Sequence, residues 1–329
     1  MPASDAVKKI TLCILDILKK YSDEDHPLTS TGIIEKLRQS GIEIERKTVY
    51  RNLTVLEECG YSICRTGKGV FLEEREFELP EVRLLMDAVQ SAYFITGKKT
   101  RQLLDKLGSL CSEHEFKALK KQIFIDYRPK CTNEEIYYSI DIINRAIIEN
   151  MQITFQYLQY DANKNLIPRY DGKIYQVSPY ALVWVNNMYY LLANMDKYDN
   201  LSHFRVDRIK SASSSQIKRR PVNEIEGMGR GFDPAEYIRG RFAMFSGPET
   251  RIQLKFNSEL KDIIFERFGT DALVSSDANG MTVTANVLVD NAFYSWVFML
   301  GDRVEIVSPD HIRQEMANKA KEIYNKYHI

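Results

Sequence analysis

The middle of the chain holds Ser178, His203 and Asp207, the residue types of a hydrolytic triad. A nucleophilic serine needs a strained turn that exposes its hydroxyl and donors for the developing oxyanion. Ser178 is instead followed by Pro179, and no Gly-x-Ser-x-Gly elbow surrounds it. Hydrolysis is therefore the weakest reading, and no catalytic residue is assigned. The same stretch suits binding better. His203-Phe204-Arg205-Val206-Asp207 alternates polar and apolar residues, so a strand there buries Phe204 and Val206 and turns His203, Arg205 and Asp207 to the other face. An arginine fork matches phosphate or carboxylate. The plainer alternatives are a solvated face, or an arginine held by Asp207. A second candidate lies at Arg46-Lys47-Thr48-Val49-Tyr50-Arg51-Asn52, where basic and hydroxyl side chains sit at the start of a helical pattern. Such a helix start suits phosphates and base edges in a DNA groove.

Each candidate needs elements to hold it. Val183-Trp184-Val185 and Met188-Tyr189-Tyr190-Leu191-Leu192 read as strands joined at Asn186-Asn187, since Asn tolerates the positive φ of a two-residue hairpin. Strands are also expected over Gln152–Tyr160 and Lys173–Val177, after an amphipathic helix from Asn133 to Asn150. Near the N-terminus, helices are expected over Ala6–Tyr21, Gly32–Gln39 and Arg46–Cys59, with hydroxyl caps at Thr29-Ser30-Thr31. Val49, Leu53 and Leu56 face the first two helices, leaving Lys47, Thr48, Arg51 and Asn52 exposed. Glu45 is a poorer cap than Ser, so the start of the third helix is expected to shift by a residue. A hairpin follows around Thr66-Gly67-Lys68-Gly69, with Lys68 at its tip. Three helices and a hairpin describe a winged helix-turn-helix, in which Arg51 pairs with a guanine edge or a phosphate.

Between these regions, Pro80 opens a helix, Gly97 breaks it, and further helices follow through Leu103–Leu110 and Phe116–Phe124. Their apolar surface suggests a dimer interface. After Arg219-Arg220-Pro221 the chain reads β-α-β-α-β-α, with strands at Arg251–Phe256, Met281–Val287 and Val304–Val307. Arg230 lies in a glycine-rich stretch read as a flexible linker. Arg239 and Arg241 read as surface charges within reach of a ligand.

With 45 basic and 45 acidic residues the formal net charge is zero, so any nucleic-acid site must be a local patch. Five cysteines without a Cys-x-x-Cys pair read as reduced thiols, and five scattered histidines give no metal-ligand spacing. A cytoplasmic protein with neither membrane span nor leader peptide, and with no cofactor or metal, is expected.

Two stretches carry a resemblance. Ser178-Pro179-Tyr180, Met188-Tyr189-Tyr190-Leu191 and His203-Phe204-Arg205-Val206-Asp207-Arg208-Ile209 resemble the WYL domain, with Tyr189 where that family usually has Trp. Arg46–Leu53 is similar to the recognition helix that usually precedes WYL domains, with Glu45 and Asn52 in place of the usual Ser and Asp. The ending through Gly301 and Val307-Ser308-Pro309 resembles the extension behind many WYL domains.

The resemblance implies an α+β multidomain protein: a winged helix-turn-helix over 1–76, a helical linker or dimerisation region over 77–130, a WYL domain built as an SH3- or Sm-like barrel over 131–217, and an α/β sandwich over 218–329. It also implies an effector site at Ser178, Tyr180, His203, Arg205 and Arg208, where Arg208 joins only if the strand ends or bulges near Asp207. The expected function is a homodimeric transcriptional regulator. Its DNA contacts would be Arg46, Lys47, Thr48, Tyr50, Arg51 and Lys68, and its effector a small anion, a nucleotide or a nucleic-acid fragment. The alternative is a single-stranded nucleic-acid-binding module.

Overall fold

A computed structural model describes residues 3–122, 130–229, 231–239, 241–242, 244, 247–277 and 280–328. The expectations on Ile123, Phe124 and Arg230 lie outside them. The chain divides into two compact units, Met1–Glu134 and Glu135–Ile329.

The first unit opens with α1 (Ala3–Tyr21), α2 (Ser30–Gln39) and α3 (Arg46–Glu58), then the antiparallel hairpin β1 (Ile63–Thr66) and β2 (Gly69–Leu72). Ile14, Leu18, Ile33, Leu37, Val49 and Leu53 meet in one buried core. Each such side chain contributes roughly 1.5–3 kcal/mol by leaving water. Thr29 caps α2, its hydroxyl accepting from the Gly32 N–H at 3.1 Å. α3 begins at Arg46 behind Glu45; the Glu45 side chain makes no cap bond, yet the expected shift of the helix start does not occur. The hairpin is tied back by Leu28, which exchanges two 2.8 Å backbone bonds with Val70. That pairing needs Gly69, because a Cβ there would lie 2.5 Å from the Leu28 carbonyl oxygen.

Helices α4 (Leu79–Ser91), α5 (Gly97–Leu107) and α6 (Glu113–Gln122) follow in this unit. A reciprocal capping box between Glu78 and Glu81 starts α4. Thr96 caps α5, so Gly97 opens that helix; the break expected at Gly97 falls earlier, since α4 already ends at Ser91. Val82, Met86, Cys111 and Leu119 form a small core shared with Leu104, Leu107 and Phe116. Much of the apolar surface expected at a dimer interface is thus internal, while Leu84 and Leu85 stay exposed. The described cysteines are free, and burial pushes the Cys111 thiol up to about 11, which keeps it protonated and inert.

The second unit starts with α7 (Ile136–Glu149), which Asn150 ends in the left-handed region. Six strands follow: β3 (Met151–Tyr160), β4 (Leu166–Pro168), β5 (Ile174–Val185), β6 (Met188–Asn194), β7 (Leu201–Arg205) and β8 (Ile209–Lys218). Asn186 and Asn187 turn β5 into β6 with φ of 50° and 59°, the conformation expected of them. The sheet runs β4-β3-β5-β6-β7, with β8 also paired to β3. It is antiparallel and, among the described residues, open. The expected closed barrel would need a ladder joining β7 to β8, and the described strands form none. Phe155, Tyr157, Tyr175 and Phe204 pack ring against ring beneath it.

The short helix α8 (Pro234–Ile238) precedes a second sheet of β9 (Glu249–Phe256), β10 (Leu273–Asp277), β11 (Gly280–Leu288) and β12 (Val304–Ser308) in the order β10-β11-β9-β12. Helices α9 (Lys261–Phe268), α10 (Asn291–Leu300) and α11 (Asp310–Tyr327) are interleaved with these strands. Ile252, Leu254, Phe256, Ile264, Phe293 and Val297 fill their common core. The strands and helices read from sequence are present, with β10 as an added edge strand before β11.

Candidate functional site

In the first unit, the turn spacing of α3 buries Val49, Asn52, Leu53 and Leu56. Arg46, Lys47, Tyr50 and Arg51 are exposed, Thr48 is half-buried, and Lys68 is exposed at the hairpin tip. Asn52 is the correction. It was expected on the outer face but is 2 % exposed, three residues after Val49 and so on the inward stripe. Its amide donates to the Thr48 carbonyl at 2.7 Å and accepts the Thr11 hydroxyl at 2.5 Å.

Arg46 donates to the Tyr50 hydroxyl at 3.1 Å. That bond, with a further one to Ser30, holds the Tyr50 phenol below its ordinary value. Both residues line a cleft of about 230 Å³ with Ser30, Arg65, Gly67 and Lys68. It gathers side chains from the start of α2, the start of α3 and the hairpin. Arg65 was missed from the sequence. It sits on β1 and forks onto Glu57 of α3 at 2.9 and 3.0 Å, joining hairpin to helix. Its only signal was a position just before the turn.

In the second unit, cross-strand register decides which side chains share a face. Ser178 opposes Asn194, which opposes Leu201; Ala181, Leu192 and His203 form the next row; Val183, Tyr190 and Arg205 form the third. Ser178, His203 and Arg205 therefore share one face, which the alternation implied for His203 and Arg205 and the resemblance for Ser178. Tyr180 is the extra residue at the bulge between Pro179 and Ala181, and packs with Leu201. The strand ends at Arg205, and a single 3-10 turn spans Val206–Arg208, the break that the Arg208 assignment required.

Much of this face is covered by the chain itself. Phe232, Tyr237, Ile238 and Met244 pack on Ala181, Val183 and Leu192. The buried Ser178 hydroxyl accepts from the Arg220 N–H at 2.9 Å, and the Tyr180 hydroxyl donates to the Arg220 carbonyl at 2.7 Å. His203 Nδ1 lies 3.0 Å from the Met244 carbonyl oxygen, and Nε2 lies 2.8 Å from the Tyr237 hydroxyl. A carbonyl only accepts, so Nδ1 carries the proton and Nε2 accepts from Tyr237. Burial, reinforced by the Arg241 charge, pushes the His203 pKa down to about 4. The imidazole is neutral at pH 7 and has both nitrogens satisfied.

Arg205 is bound by Asp207 through a two-pronged bridge at 3.1 and 2.7 Å, the arrangement given above as the plainer alternative. The Arg205 side chain keeps 22 % of its surface exposed, against 5 % for Asp207. Arg208 differs: its Nε is buried and has no hydrogen-bond partner among the described residues. Tyr157 and Tyr190 lie in the field of both arginines, and burial raises both phenols. The arginine end of the face is thus cationic and aromatic. Ser178, His203 and Asp207 bind different groups from one another, an arrangement unlike a triad.

The WYL domain model matches residues 139–214, and the WCX domain model matches residues 248–324. The second unit therefore contains a WYL domain followed by a WCX domain. Proteins of curated function give no match. Among solved structures the chain is similar to proteasome accessory factor B/C (PafBC) of Arthrobacter aurescens, at 14% identity and a TM-score of 0.30, over 98% of this chain and 49% of that one. It thus spans about half the length of that chain. A structure described as a CRISPR Cas-related protein is also similar, at 12% identity and a TM-score of 0.37, over 100% of this chain and 88% of that one.

Proposed function

We propose that the protein is a DNA-binding transcriptional regulator whose WYL domain senses an anionic effector. The observation that carries the DNA half is the exposed row Arg46, Lys47, Tyr50 and Arg51 on α3, beside a hairpin tip bearing Lys68. Three helices with a tied hairpin form a winged helix-turn-helix, and α3 is its recognition helix. Lys47, Arg51 and Lys68 reach duplex DNA, while Thr48, Arg46 and Tyr50 bind the flanking backbone. The domains run over 1–76, 77–130, 131–217 and 218–329, and the protein acts in the cytoplasm. Among the described residues no helix is long and apolar enough to cross a membrane. Two copies pair through the 77–130 region, where Leu84 and Leu85 stay exposed.

The effector binds at the Arg205 and Arg208 end of the WYL face. An unmet guanidinium N–H beside tyrosine rings suits a phosphate next to a base, as in a nucleotide or a short nucleic-acid strand. Ser178, Tyr180 and His203 line the deeper part of the same face, beneath the segment from Phe232 to Met244. Effector binding then alters operator affinity.

A gel-shift titration of duplexes from the gene's own upstream region, at low salt, tests the first half. Retardation is expected, and its absence for every fragment would refute it. Fluorescence titration with nucleotides and short oligonucleotides tests the second half. Binding should weaken about tenfold or more in Arg205→Ala, the loss expected for one charge-assisted contact.

A further inference from the structure

The WCX domain carries a pocket that the reading above does not use. β10 covers β11 only as far as Thr284, whereas β11 continues to Leu288. At the resulting notch lies a cavity of about 620 Å³, within the usual size range of small-ligand sites. Its polar lining is unusual in how little of it is paired. Arg239 is matched by Asp271 at 2.8 Å. Arg251 on β9, Glu249 on the same strand and Glu236 on α8 line the cavity and have no partner among the described residues.

Arg267 is the deepest of these groups. Its guanidinium lies 3.7 Å from the Phe242 ring centroid, and its Nε and Nη2 are buried with no hydrogen-bond partner. Burial lowers its pKa, only partly offset by the charge of Asp290. Asp290 uses one oxygen to cap α10, and its other oxygen is also unpartnered. A buried guanidinium with unmet donors is costly, on the order of several kcal/mol, unless an anion completes it.

The balance of charge selects the class of ligand. Two unpaired guanidiniums and two unpaired carboxylates surround one space. A doubly charged phosphate ester would satisfy the arginines but meet Glu236 and Glu249 unfavourably. A molecule with one carboxylate and one ammonium satisfies both sets. Phe268, Ala272 and Leu273 add an apolar wall for a side chain. We infer that this pocket binds a zwitterion of the α-amino-acid class, up to the size of a short peptide, with its carboxylate on Arg267 and Arg251 and its ammonium facing Glu249 and Glu236.

The test is calorimetric titration of the full chain at pH 7 with the common amino acids, a set of dipeptides, inorganic phosphate and nucleoside monophosphates. At least one amino acid or dipeptide should bind with a dissociation constant of about 1 mM or tighter. Arg251→Glu is an exposed substitution that should leave the fold intact and weaken that ligand roughly tenfold or more. Arg267→Gln should abolish binding, with circular dichroism reporting whether it folds. If no zwitterion binds, if only phosphate or nucleotides bind, or if Arg251→Glu leaves the affinity unchanged, the inference is overturned. The readout involves no DNA and stands apart from the proposed regulatory role.

Discussion

His203 shows how a residue apt for an ion site can be turned to another use. Its two nitrogens are committed to Met244 and Tyr237, and its folded pKa lies near 4 against an ordinary value of 6.5. The unfolded chain therefore binds a proton between these values that the folded chain does not. Stability is fully present above pH 6.5 and falls as the pH is lowered toward 4, by on the order of 3 kcal/mol from this group. Urea denaturation of the wild type and of His203→Gln should show a flatter profile for the variant in that window. Parallel profiles would contradict the account of His203. Asn52 makes a second case. Its amide serves two buried partners, so Asn52→Ala should cost about 1–3 kcal/mol of stability. Arg51, by contrast, is exposed, and Arg51→Ala should leave the melting temperature unchanged while weakening duplex binding by roughly 1–3 kcal/mol. Alternation correctly placed His203 and Arg205 on one face. It could not reveal that Phe232, Tyr237 and Met244 return to cover that face, because the contact spans some thirty or forty residues and leaves no periodic mark.

At the scale of elements, the hairpin beside α3 depends on one close approach. Gly69→Ala would drive a Cβ into the Leu28 carbonyl and displace the pairing between Leu28 and Val70. A loss of about 1–3 kcal/mol is expected, with weaker duplex binding than the stability loss alone explains. Unchanged stability would show that the tie to Leu28 is dispensable. The N-terminal helices, this hairpin and the Asn186-Asn187 turn were legible because caps, apolar spacing and positive-φ residues are local signals. β8 was not. Its Ser-rich run from Lys210 to Lys218 has little strand propensity and few buried side chains, and it is a strand because β3 pairs with it along most of its length. β10 was missed for a similar reason, being a short edge strand with two serines. The closed barrel was expected from the WYL resemblance, and a likeness carried by three short stretches does not fix which strand edges pair.

For the whole molecule, the claim is that one end reads duplex DNA and the WYL–WCX part carries the sensing surfaces. A dimer should bind two half-sites, so light scattering should give twice the chain mass at micromolar concentration, and a monomer that still binds DNA with full affinity would count against pairing. The most direct measurement is selection of duplexes from a random pool by the full-length protein, followed by sequencing and gel-shift titration of the enriched sites. The account predicts a defined motif, bound by the wild type and lost in a Lys47→Ala, Arg51→Ala double variant that folds normally. Failure to enrich any sequence, or equal enrichment by that variant, would contradict it.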